Sequence, residues 1–287
     1  MRGVLRGALT VAVMLSAAVL APRPALAQLS NAWNCTGKPG IAWRTQIGGC
    51  TDAIKSGKYA GKDLAAVLHN RGVAYRGVGN LDRAFKDYDE AIKLDPTNVT
   101  FLLHRGIAYG ASGNADRALA DFDQIIKLDP KQVDAWYSRG LTYSNKADWG
   151  RAIQNYDEAI KLDQNYIQAV SNRGNAYLAK RQFDRAAQDY DRAMQIDPND
   201  PIPHNNRGNA YYQTDQVDRA IAEFDMAIKL EPNYADALNN RGAAYFSKGD
   251  LDRALEDFDR VLRFNPDDAD AKSNRAMVLE KRAKASN

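Results

Sequence analysis

An Arg-Gly pair returns at a fixed step of 34 residues, at Arg71-Gly72, Arg105-Gly106, Arg139-Gly140, Arg173-Gly174, Arg207-Gly208 and Arg241-Gly242, and Arg275 keeps the step once more. No insertion or deletion interrupts it. A constant period of this length is the signature of a stacked array of helix hairpins, in which each unit buries its apolar face only against its neighbours.

The repeats divide residues 65–268 into six units: 65–98, 99–132, 133–166, 167–200, 201–234 and 235–268. In each, a first helix carries the Arg-Gly pair and a Tyr three residues after the Gly. A short turn follows, with Gly79, Gly113 or Gly249 in three units. The second helix opens near Asp-Arg-Ala and places Ala84, Tyr88 and Ala91, or their equivalents, on one face at i, i+4 and i+7. Pro96, Pro130, Pro198, Pro232 and Pro266 are expected to stop it, because Pro cannot extend the hydrogen-bond ladder. Residues 28–64 read as a lead-in followed by a degenerate half-repeat that caps the array. Residues 269–287 read as a lone capping helix, ending in Glu280, Lys281, Arg282 and Lys284.

The pattern resembles the tetratricopeptide repeat family. Trp136, Arg139-Gly140 and Tyr143 follow the first part of its motif, and Ala118, Phe122 and Pro130 the second. The resemblance implies an all-α, right-handed superhelical solenoid whose first helices line a concave groove. It also implies that the groove is built from the fifth, sixth, ninth and twelfth places of each first helix. Those places hold Asn172, Asn175, Asn205, Asn206, Asn209, Asn239 and Asn240, with the aromatics Tyr137, Tyr212 and Phe246. A carboxamide is both donor and acceptor, so such a ladder can hold an extended backbone without reading its side chains; the alternative is family consensus that is merely solvated. The carboxylate clamp of chaperone-binding members needs Lys or Arg at the fifth and at the second or sixth places. It is not present.

Where the family has Leu before the Gly, this chain has Arg throughout. Arg71, Arg105, Arg139, Arg173, Arg207 and Arg241 are expected to form a structural ladder, each reaching a carboxylate of the second helix. Arg83 and Asp87, at i and i+4, suit a same-face ion pair. The alternative is a positive ladder for anionic ligands, but acids recur in step with the arginines. The third unit departs from the pattern at Ala147, Gly150, Asn155 and Gln164. Gln164, replacing Pro, is expected either to loosen the junction to the fourth unit or to let the helix run on.

Residues 1–27 read as a secretory signal peptide: Arg2 and Arg6, an apolar run from Ala8 to Leu20, and a small-residue site for cleavage after Ala27. Without Arg2, Arg6 and Arg23 the chain has 36 basic and 36 acidic residues. That balance offers no basic stripe for nucleic acid. The mature chain also has no apolar run long enough to span a membrane. Cys35 and Cys50, in an exported chain, are expected to form a disulfide rather than a redox or metal pair. With His69, His104 and His204 its only histidines, and no nucleophile, phosphate-loop or HExxH motif, the chain gives catalysis little to stand on. A metal held by His69 and His104 alone would lack supporting ligands. The expected protein is a secreted, periplasmic, non-enzymatic scaffold that binds proteins or peptides and needs no cofactor. The alternatives are a self-associating subunit of an export or secretion assembly, and a binder of glycans or small ligands.

Overall fold

The computed structural model describes Cys35 and residues 41–285, and among these it is all-helical. The signal segment and most of the lead-in lie outside the described residues. The chain divides into two compact bodies, one ending at Gln164 and one beginning at Asn165. The first holds α1 (Trp43–Lys55) and three hairpins: α2 (Gly61–Gly77) with α3 (Leu81–Leu94), α4 (Val99–Ala111) with α5 (Ala115–Leu128), and α6 (Val133–Asn145) with α7 (Trp149–Leu162). The second holds α8 (Ile167–Ala179) with α9 (Phe183–Ile196), α10 (Pro201–Gln213) with α11 (Val217–Leu230), α12 (Ala235–Lys248) with α13 (Leu251–Phe264), and the final α14 (Ala269–Ala285). Within each body successive hairpins stack as a tetratricopeptide-like solenoid.

Each hairpin closes on the contact between its Gly and its aromatic residue. Tyr88, Tyr156, Tyr190, Phe122, Phe224 and Phe258 are all buried to within 1%. A Cβ at Gly208 would lie 2.5 Å from the Phe224 ring, and one at Gly72 2.8 Å from that of Tyr88. The glycine is therefore there for close approach of the two helices. The turn between them needs one residue in the left-handed region. Gly79, Gly113 and Gly249 supply it in three repeats, but Ala147, Arg181 and Asp215 adopt it in the others, with φ between 55° and 61°. Each of these side chains costs about 1–2 kcal/mol there, which the packed hairpin tolerates.

Gln164 does not lengthen its helix. α7 stops at Leu162, and Asp163 turns extended with φ −134° and ψ 104°, much as Asp129 and Asp197 do before a proline. Its N–H bonds Ala159 O, as the other cap residues bond their own helices. The stop is thus made at the Asp before the proline position, so the helix ends with or without Pro.

The arginine before each Gly ties the two helices of its hairpin, and within each body it can also reach the hairpin before. Arg71 grips Asp87 with Nε and Nη2, each at 2.8 Å. Arg105 does the same to Asp121, Arg173 to Asp189 and Arg241 to Asp257. The remaining Nη1 reaches back to the preceding hairpin: Arg105 to Asp89 at 2.7 Å, Arg139 to Asp123 at 2.5 Å and Arg241 to Asp225 at 2.6 Å. The acid after the aromatic is therefore the link between repeats. Two repeats deviate. Arg139 finds Asn155 Oδ1 at 2.7 Å in place of a carboxylate. Arg207 meets Glu223 through Nη2 only, because the other oxygen of Glu223 takes His204 at 2.9 Å, and Arg207 Nε is left buried without a partner. Arg83 does not join Asp87, which Arg71 already occupies; its guanidinium lies over the Tyr75 ring instead.

At the start of the array α1 stands in for a second helix. Its Thr51 Oγ1 accepts from Arg71 Nη1 at 3.3 Å, in the place later taken by Asp89. Its Gln46 Nε2 donates to Asn70 O at 3.2 Å. Cys50 is joined to Cys35, and the bridge is buried with Ala53 and Val67. Asn70 Nδ2 donates to Cys35 O at 2.8 Å, so Cys35 itself covers part of α2. At the other end α14 continues the ladder, with Arg275 Nε on Asp259 at 2.5 Å.

First helices also touch one another. His69 of α2 meets His104 of α4, Nε2 to Nδ1 at 2.7 Å, with the rings stacked and His69 also stacked on Phe101. Burial, followed by the neighbouring His104, pushes the pKa of His69 well down, and burial with Arg76 lowers that of His104 to about 4. Both rings are neutral at pH 7.

Three outcomes are expected. Arg105→Ala strands Asp121, whose side chain is 5% exposed, and should cost about 3 kcal/mol in urea unfolding. Gly208→Ala gains about 1 kcal/mol of helix propensity but overpacks Phe224, so a net loss of about 1–2 kcal/mol is expected. The histidine pair should make stability depend on pH. Unfolded imidazoles titrate near 6.5 and take up protons that folded His104 refuses until about pH 4 and that folded His69 also resists, so stability is complete above pH 6.5 and is lost as pH falls. His104 alone accounts for a loss of about 3 kcal/mol by pH 4, and the double substitution His69→Gln, His104→Gln should flatten that part of the urea midpoint–pH curve.

Candidate functional site

The surface built by successive first helices is the candidate site, and the two bodies present it differently. In the second body it is rich in carboxamides, most of which are engaged within the fold. Asn172 Nδ2 donates to Gln168 O of its own helix at 2.9 Å. Asn175 Oδ1 accepts from the Tyr190 hydroxyl at 2.8 Å. Asn205 is 4% exposed; its Oδ1 accepts from Asn240 Nδ2 of the next first helix at 2.9 Å, and its Nδ2 is 3.4 Å from Asn206 Oδ1. Asn239 Nδ2 donates to Asp268 at 3.3 Å, while its Oδ1 is buried without a partner. Asn209, half-buried between them in register, makes no side-chain hydrogen bond among the described residues. The sequence places seven carboxamides in register, and the structure uses several of them to join α10 to α12 or to anchor the second-helix tyrosine.

The aromatic residues are placed in the same way. The Tyr212 hydroxyl is 2.6 Å from Ser247 Oγ across α10 and α12, and its ring packs beside Phe224. Phe246 packs with Tyr245, Phe258 and Val278, and Lys281 Nζ of α14 stands 4.4 Å from its ring centre. In the first body Tyr137 tilts against Tyr156, with ring centres 6.1 Å apart.

The first body's face is more apolar, with Val73, Leu103 and Ile107 partly buried along it. At its α1 end lies a feature that sequence reasoning passed over. Arg76, on the last turn of α2, is near enough to His69, His104 and Tyr88 to perturb all three, and among the described residues no carboxylate pairs with it. Tyr88 is fully buried, its pKa pushed up to about 12 by that burial, and its hydroxyl has no partner. Trp43 of α1 lies against Gly77 and is 45% exposed. The only available signal was that Arg76 stands at the twelfth place, where the other repeats have uncharged residues.

A metal between His69 and His104 does not fit this geometry. Two imidazole nitrogens bound to one ion would each sit about 2 Å from it, whereas these two are 2.7 Å apart and bonded to each other. Among the described residues, no group of three or more His, Cys, Asp or Glu side chains could hold a metal ion, and no helix is long and apolar enough to cross a membrane.

Family models match along most of the repeat region. Those described as tetratricopeptide repeat match residues 65–98, 235–268 and 103–163, and one described as TPR repeat matches 148–180, 174–215 and 208–249. No curated protein sequence matches the chain. Among solved structures, a tetratricopeptide repeat protein from Parabacteroides merdae is 21% identical, covers 83% of this chain and 92% of its own, and has a TM-score of 0.68. MamA is 27% identical over 57% of this chain and 96% of its own, with a TM-score of 0.53. A thermophilic TPR protein of Thermus thermophilus is 23% identical over 63% and 98%, with a TM-score of 0.55. The 34-residue hairpins, the Gly-on-aromatic contact and these matches agree: the chain belongs to the tetratricopeptide repeat family.

Proposed function

We propose that the protein is a non-catalytic scaffold that binds a protein or peptide segment on its first-helix faces. The observation that carries this reading is the row of half-buried carboxamides on α8, α10 and α12, with Asn209 at its centre making no side-chain bond within the fold. A carboxamide in that state can donate to a backbone carbonyl and accept from a backbone N–H of an extended partner. The packed neighbours Asn205 and Asn240 hold the surface rigid around it, which lowers the entropy cost of binding. Family membership supports the same reading. The N-terminal segment supports export, with cleavage after Ala27 and work in a bacterial envelope; N-terminal sequencing of the purified protein would show whether Gln28 is its first residue.

The reading is tested with a photo-reactive residue at Asn209 and, as control, at Lys229, which is exposed on α11. A partner captured only from the Asn209 site is identified and purified, and its binding measured by calorimetry. Tyr212→Ala and Asn209→Ala should each weaken binding by about tenfold, the size of loss common at an interface anchor. Capture only from Lys229, or only of a second copy of this chain, would overturn the reading in favour of self-association.

A further inference from the structure

The tyrosine in the middle of a second helix directs its hydroxyl to the first-helix face. In the third repeat Tyr156 meets Ser144 Oγ at 2.9 Å, and in the fourth Tyr190 donates to Asn175 at 2.8 Å. Ser144 occupies the twelfth place of its first helix and Asn175 the ninth. In the first repeat those two places hold Arg76 and Val73. The Tyr88 hydroxyl there is buried with nothing to bond, although buried polar groups almost always find a partner. The residue standing at the twelfth place carries a positive charge with no carboxylate among the described residues to balance it. The arginines of the ladder each grip one or two acids, so Arg76 is chemically apart from them. The stacked neutral pair His69 and His104 lies within its electrostatic reach, and the exposed indole of Trp43 lies on the neighbouring Gly77.

We propose that this corner of the first body binds a carboxylate of the partner peptide, with Arg76 forming the ion pair and the Tyr88 hydroxyl donating a second hydrogen bond. The proposal rests on the reading of the first-helix faces as binding surfaces and adds the partner's chemistry. One unbalanced positive charge, with one spare hydroxyl, matches a singly charged carboxylate better than a doubly charged phosphate. The Tyr88 hydroxyl is closed off from solvent, so side chains around it must move for the ligand to reach it. The site differs in place from a groove clamp of cations at the fifth, second or sixth positions, since Arg76 stands at the twelfth.

The test is a titration of the isotope-labelled full chain with N-acetylglycine, which imitates a chain terminus, and with N-acetylaspartate amide, which imitates a side chain. Sodium chloride at matched ionic strength and inorganic phosphate are the comparisons, and the ring signals of His69, His104 and Trp43 are the readout. At least one carboxylate should give saturable shifts that chloride does not, and the tighter one identifies terminus or side chain. Arg76→Gln should weaken the binding by about tenfold, and Tyr88→Phe, which removes only an unpaired hydroxyl, by about threefold. Neither substitution removes a bond on which the fold depends. Linear shifts shared with chloride, or affinity unchanged in Arg76→Gln, would overturn the site. Affinity unchanged in Tyr88→Phe would overturn the role of the hydroxyl, and phosphate saturating before either carboxylate would overturn the choice of ligand. None of these results touches partner capture at Asn209, so this proposal and the scaffold reading fail separately.

Discussion

The structure depends on a planar guanidinium placed where three helices meet. Two of its N–H groups lock the acid of its own second helix, which sets the angle of the hairpin, and a third reaches the acid of the hairpin before. A fork of fixed geometry can satisfy both only if the next hairpin arrives at one rotation and one rise. This accounts physically for a period that never varies: a one-residue insertion in either helix would turn the Arg or the Asp off the shared seam. The ladder is not a simple source of stability. Burial pushes the carboxyls of Asp121 and Asp257 upward despite the guanidinium beside them, so the desolvation cost is large relative to the attraction. Removing one partner is nonetheless expensive, because the other stays buried. The ladder therefore buys register more than it buys free energy.

The second constraint is steric. Gly against Tyr or Phe brings the two helices of each hairpin close, and Ala at the flanking places keeps the seam narrow. α1 shows how the scheme ends. It keeps the second-helix role with Thr51 in the seam, but no complete first helix precedes it among the described residues. The Cys35–Cys50 bridge and the bond from Asn70 to Cys35 O cover that side of α2 instead. For a bridge closing a loop of this size the chain-entropy model gives about 3 kcal/mol, a contribution comparable to that of one ladder arginine.

Much of this was legible because it is local and periodic. The 34-residue step, the buried stripe Ala84, Tyr88, Ala91 and the pairing of Arg with a second-helix acid all follow from spacing along one chain. What was not legible depends on competition between partners. Arg83 and Asp87 are correctly spaced for a pair, but Asp87 has a better-placed partner in Arg71, sixteen residues away. The helix stop was assigned to proline, whereas α7 shows that the extended Asp before that position is sufficient. The carboxamides could be placed in register but not assigned a state. The bond between Asn205 and Asn240 runs from the fifth place of one first helix to the sixth place of the next, a contact that only stacking creates. Asn205 with Asn240 and His69 with His104 are the same contact made with different chemistry.

That equivalence indicates where the family's constraint stops and this chain's own chemistry begins. The Arg, Gly, aromatic and Asp positions leave little choice, since each is fixed by a neighbour in the next hairpin. The fifth, sixth, ninth and twelfth places of the first helices have no such tie to the ladder. They hold Val73, Leu103 and Ile107 in the first body and Asn175, Asn205 and Asn209 in the second, on hairpins that are otherwise alike. Some of these places make matched neutral pairs, as in the two cross-helix contacts, while Ser171 Oγ and Asn239 Oδ1 are buried without a partner. Arg76 and the Tyr88 hydroxyl add a charge and a donor left unmatched in one repeat. A buried donor left without a partner is a cost that the scaffold does not require, because Ser144 and Asn175 show how readily the same tyrosine position is satisfied. Residues that the fold neither needs nor satisfies are the ones for which a ligand is the simplest physical account.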